Sequence, residues 1–247
     1  MAVAQKTRYR WLDILRGAAV VNMVAFHFCY DWFEVFGRQP GWYFLWPSRL
    51  WQQAICCTFI LTAGFSAHLG RRALRHGLIL NLCGLAVSAV TLLALPSEAV
   101  RFGILNLLGC AVLLAWLLRP ALEKLPAAAG LCASLFLFAL TRHLPEGHLG
   151  LLGLWRLELP AGLYRWNALA FLGLPGPTFT SSDYFPLAPW FFLFLAGWFF
   201  CRLARPRLDG FLPRLACPPL EWAGRHSLGL YLIHQPVCMA VCLLLNI

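Results

Sequence analysis

Asp13, Arg16, His27, Asp31 and Glu34 punctuate an apolar segment that includes LRGAAVVNMVAFHFCYDWFEVFG. At about 100° per residue they fall within a sector of about 60° on one helix. Ionisable groups inside a bilayer are costly and ordinarily face a bundle interior or a wet cavity. His27 and Asp31 are four residues apart and so are neighbours on that face. A carboxylate that fixes an imidazole tautomer and stabilises its cation makes this pair a candidate general base with its orienting group. The blander alternative has Asp13 and Arg16 at one interface, Asp31 and Glu34 at the other, and His27 in a single interhelical hydrogen bond. Two ligands are not a coordination shell, and no C-x-x-C or H-x-x-x-H supports them, so no metal site is expected.

A second set lies near the other end of the chain, in GRHSLGLYLIHQPV, where Ser227, Tyr231, His234 and Cys238 share a helical face. His234 is expected to line the site, and Pro236 to free a nearby backbone carbonyl. Arg101, Asn106 and Asp183 stand at the ends of other apolar runs. Arg101 and Asp183 are candidates to pair or to hold a polar acceptor, although helical spacing puts Arg101 and Asn106 on different faces. Arg16 precedes His27 by about 16 Å along a helix, too far for one small site but suited to an extended donor.

The elements that must position these residues are membrane helices. Hydrophobic residues make up 60% and charged residues 12% of the 247, and the mean hydropathy is +0.69, well above an ordinary soluble domain. Seven windows approach the roughly 20 apolar residues needed to span a bilayer: 11–35, 49–70, 76–96, 101–118, 124–142, 185–204 and 225–246. The expected class is therefore an all-α polytopic bundle, a single domain over 1–247. The net charge of +10 does not indicate nucleic acid. Basic residues cluster on alternate connections: Lys6, Arg8 and Arg10; Arg71, Arg72 and Arg75; Arg119 and Lys124; Arg202, Arg205, Arg207 and Arg214. This pattern places the N-terminus in the cytoplasm and the C-terminus outside.

The connection 143–184 then faces outward, and its apolar piece 167–174 is expected as a re-entrant segment covering the site. The first run lacks a small-residue cleavage site after a short apolar core and reads as a retained helix. The ten cysteines are expected as packing residues, since nine lie in apolar runs.

Taken in order, RYRWLDILRGAAVVNMVAFHF, FILTAGFSAHLGRRALRHG, AVRFGILNLLGCAVLL and SSDYFPLAPWFFLFLAGW resemble the catalytic region of the heparan-alpha-glucosaminide N-acetyltransferase family. GRHSLGLYLIHQPV is similar to the closing helix of the wider transmembrane acyltransferase superfamily. The resemblance implies transfer of an acyl group, typically acetyl, from cytoplasmic acyl-CoA to a hydroxyl or amine of a sugar-like acceptor on the other side. It carries over no catalytic histidine by position, because the loop Gly37 to Ser48 contains none. His27, oriented by Asp31, takes that role on chemical grounds. Arg16 and Asp13 would serve the donor end, and His234 or Asn106 the developing oxyanion. Acyl-CoA is expected as a co-substrate, with no permanently bound cofactor. The other expected partners are a glycan-like acceptor and membrane lipids, a homodimer being compatible, and the expected location is a bacterial inner membrane. The rival reading is a transporter or proton-coupled carrier that uses the same polar face.

Overall fold

Within hydrocarbon every backbone N–H and C=O must be satisfied internally, so apolar windows of this length fold as helices. The computed structural model describes residues 9–151, 153–211 and 216–245. Lys6, Arg8 and Arg214 lie outside the described residues, as does the side chain of Arg207. Among the described residues seven helices are long and apolar enough to cross a membrane: α1 with its continuation (Arg10–Val35), α2 (Trp46–Leu69), α3 (Ala73–Ala94), α4 (Ile104–Leu122), α5 (Ala127–Thr141, with a turn to Glu146), α6 (spanning over Leu187–Arg205) and α8 (Ser227–Leu245). A short helix, α7 (Pro218–Arg225), precedes the last span. These elements match the expected windows, and all ten cysteines are free thiols. The chain is an integral membrane protein of nearly all-α class. One small antiparallel hairpin, β1 (His148–Leu151) with β2 (Trp155–Glu158), was not anticipated. Contacts divide the chain into two units, residues 1–62 with 206–247 and residues 63–205.

In the first unit α1 packs along α7 and α8. The crossing with α7 is made of backbone: a Cβ added at Gly17 would collide with the carbonyl of Leu220, and one added at Gly224 with the carbonyl of Asp13. Small residues at a helix crossing allow this approach. Arg10 fastens the same crossing through two hydrogen bonds, 3.0 and 2.9 Å, to the buried carboxylate of Glu221. Arg225 adds a third at 3.1 Å and the Cys217 amide a fourth at 3.3 Å.

These donors, Arg10 foremost, hold the Glu221 carboxyl below the ordinary glutamate range against the opposing effect of burial. A depressed native pKa gives stability that is present above the unfolded value, about 4.3, and lost as pH falls through the native one. Wild-type protein is therefore expected to melt above Glu221→Gln at pH 7, with the gap closing on acidification below about pH 4.3. Melting temperatures of both proteins in detergent across that range check it.

In the second unit α3 and α4 form a close pair in which Asn106 lies against Gly84, and Asn81 of α3 accepts from Cys110 of α4 at 3.4 Å. Leu107, Phe194, Trp198 and Phe199 are buried in this unit. Arg202 closes the C-terminal end of α4 by donating to the carbonyls of Leu122 and Leu125 at 2.9 Å and of Glu123 at 3.2 Å. A cation there meets the negative end of the helix dipole. Beside it the Glu123 carboxyl is lowered from its ordinary value, chiefly by the hydrogen bond from Arg119.

Candidate functional site

His27 stands one turn before the end of α1, and α8 brings His234 against it with ring centroids 4.6 Å apart at 65°. The Nδ1 of His234 bonds to the backbone carbonyl of Tyr231. A carbonyl only accepts, so Nδ1 carries the proton and Nε2 presents a lone pair. That Nε2 is buried and has no hydrogen-bond partner among the described residues. The neighbouring Gln235 donates from Nε2 to Asp31 Oδ1 at 2.8 Å, while its Oε1 is likewise buried and unpartnered. Two acceptor atoms on consecutive residues, next to Pro236 within α8, thus await donors.

The expected His27–Asp31 hydrogen bond does not form among the described residues. Asp31 is wholly buried and its amide keeps the α-helical bond to the carbonyl of His27; the π-helical turn Asp31–Val35, in which the angular step departs from that of the preceding helix, follows it. The Asp31 carboxylate accepts from α8 instead, and the ring of His27 meets another imidazole. The same turn takes Glu34 to the chain that follows: its two carboxylate oxygens accept the amides of Gly41 at 3.1 Å and Tyr43 at 2.6 Å. Beneath His27 a buried cluster of Met23, Phe26 and Ile55 packs with Trp42, Trp51 and Tyr231. Trp51 also donates to Asn22 of α1 at 3.0 Å. Cys238, from the predicted face of α8, lies 3.7 Å from the carbonyl of Val24. Toward the start of α1, Arg16 lies 3.7 Å from the buried Asp13 as an i,i+3 ion pair.

The remaining sequence candidates belong to the second unit. Asn106 sits in the α3–α4 seam, where its carboxamide packs over Gly84. Of the two roles expected for Arg101 and Asp183, to pair or to hold an acceptor, the pairing is not found among the described residues. Asp183 accepts the amide of Ile104 at 3.3 Å, serving an orphan donor at the start of α4, and this competes with any cation for its oxygen. Arg101 is exposed and bonds through its backbone amide to Ser181 at 2.8 Å. Ser182 reaches the carbonyl of Glu98 at 2.7 Å and the amide of Phe185 that of Phe102 at 3.0 Å, which stitches the two connections together. Segment 167–174 carries a 3-10 helix, Asn167–Leu172, whose Ala170 carbonyl accepts from Tyr184. Burial pushes the phenols of Tyr164 and Tyr184 up, so both remain donors.

Gln235 is the residue that sequence reasoning passed over. Its signal was present, a polar side chain beside His234 deep in an apolar run, but a neutral amide does not register in a search for ionisable groups.

Compared with known protein families, residues 8–236 match the one described as heparan-alpha-glucosaminide N-acetyltransferase, catalytic. No curated protein and no solved structure matches the chain.

Proposed function

Because the chain belongs to the heparan-alpha-glucosaminide N-acetyltransferase catalytic family, which implies a membrane acetyltransferase-like function, we propose that it moves an acetyl group from acyl-CoA to an acceptor hydroxyl or amine, with His27 and His234 as its acid–base unit. The observation that carries this reading is the fixed tautomer of His234, whose bare Nε2 lies beside the ring of His27. His27 is assigned to meet the acceptor, while the buried His234 supplies a lone pair to which a proton can pass. The acceptor O–H or N–H gives its proton to this unit as its oxygen or nitrogen bonds to the acyl carbon. The carbon–sulfur bond then breaks, and the CoA thiolate leaves and recovers a proton. An acyl group carried transiently on an imidazole balances equally well.

Arg16, held by Asp13, is assigned to the donor end. Alternating basic connections support a cytoplasmic N-terminus, with the donor on that side and the acceptor on the other, as in a bacterial inner membrane. The test is purified protein in detergent with radiolabelled acetyl-CoA and a panel of amino sugars and sugar alcohols. Acceptor-dependent release of free CoA with label on the acceptor is the expected result. Solute uptake by proteoliposomes without any CoA release would establish the carrier instead.

A further inference from the structure

The turn that leaves α5 gathers metal-competent side chains far along the chain from His27 and His234. One ligand atom each from His143, Glu146 and His148 lies within 4.8 Å of the other two. The backbone fixes this grouping. Leu144–Glu146 is a 3-10 turn, in which residues three apart eclipse, so Glu146 stands over His143 with its carboxylate 3.0 Å from Nδ1. The amides of Glu146 and His148 both donate to the carbonyl of His143, at 3.0 and 3.4 Å. Gly147 then reverses the chain at φ 92°, a conformation that suits glycine. His148 therefore opens strand β1 and stacks on His143, with centroids 5.0 Å apart and planes 8° from parallel. From the other side Tyr164 donates to the carbonyl of Leu144 at 2.6 Å, which pins the turn.

A second observation points to a ligand. His148 is only 9% exposed, and its buried Nδ1 has no hydrogen-bond partner among the described residues. Such atoms are uncommon in folded proteins and ask for a proton donor or a cation. The side chains of His143 and Glu146 are 48% and 64% exposed, which gives an ion access and lets both rotate inward.

We propose that His143, Glu146 and His148 bind a divalent transition-metal ion of the zinc type. Two imidazole nitrogens with one carboxylate suit zinc, nickel or copper, whereas magnesium and calcium prefer all-oxygen shells. Three protein ligands leave a position for water or a further group. The bound ion clamps the end of α5 to the start of the hairpin.

The experiment is calorimetric titration of Zn²⁺ into full-length protein purified without a polyhistidine tag and stripped by chelator. The expected result is one ion per chain, bound at least tenfold more weakly by Glu146→Gln and by His143→Ala, with excess Mg²⁺ leaving binding unchanged. Loss of a supporting partner alone commonly costs a metal site about 10–100-fold, so loss of a ligand should cost no less. Glu146 is exposed and Gln conserves its size, so folding is not at issue, and circular dichroism of the apo proteins verifies that. Absence of stoichiometric binding in the wild type overturns the proposal. So does binding that persists undiminished in both variants, which assigns the ion to other histidines or to the thiols.

Discussion

His234→Ala protein is expected to lose acetyl transfer by about 10²–10⁴-fold, the range typical of a general acid–base group, or about 3–5 kcal/mol of barrier. The reason is the bond from its Nδ1 to the Tyr231 carbonyl, which leaves Nε2 as an acceptor beside the ring of His27. His27→Ala should show a comparable loss. If the rings act as one unit, the double variant should be little worse than either single one, since residues that work together are non-additive. Steady-state rates of CoA release for the three proteins check this. Melting temperature and acetyl-CoA binding, both unchanged in His234→Gln, separate lost chemistry from lost structure. A His234→Ala enzyme that turns over at the wild-type rate would remove His234 from the reaction and return the orienting role to Asp31.

Gly17→Ala and Gly224→Ala should each weaken the first unit by at least about 1–3 kcal/mol, the usual cost of overpacking. In both cases the new methyl meets backbone, the carbonyl of Leu220 or of Asp13, and not a side chain that can swing aside. The helices must separate, and α1 carries His27, so transfer should fall as well. A misplacement of about 1 Å at a reacting group can cost about 10²-fold. Gly229→Ala is the matched control, because a Cβ at that helical position in α8 meets nothing within 4 Å. Thermal unfolding in detergent should rank the control at or above wild type and the two crossing variants below it. Equal melting of all three substitutions would refute the backbone-contact account.

The spans were legible because lipid leaves a chain of this composition few alternatives to helices. His27 and His234 were legible for a related reason, since an ionisable group deep in an apolar run is conspicuous. His27 and Asp31 do keep the helical step of four residues, the Asp31 amide bonding to the His27 carbonyl, but the Asp31 carboxylate accepts from Gln235 of α8, a long-range partner that the local pattern does not reveal. Opposite charge made Arg101 one candidate partner for Asp183, but charge alone does not reveal the helix amide that the carboxylate serves. Arg10 and Glu221 meet across 211 residues, a separation that no local pattern encodes. The trio at 143, 146 and 148 was passed over because its spacing follows a 3-10 turn and a strand rather than the repeat of one helix.

Glu34 has a consequence for how this protein can drift in evolution. It grips the segment after α1 by main-chain amides, at Gly41 and Tyr43, and those amides are present whatever side chains stand there. Substitution at the gripped positions therefore preserves the anchor so long as the residue is not proline and, at Gly41 with its φ of 89°, tolerates a left-handed backbone. Insertions or deletions between 34 and 43 do not preserve it. Homologous loops should accordingly vary in composition far more than in length, with new side chains presented on an unchanged frame.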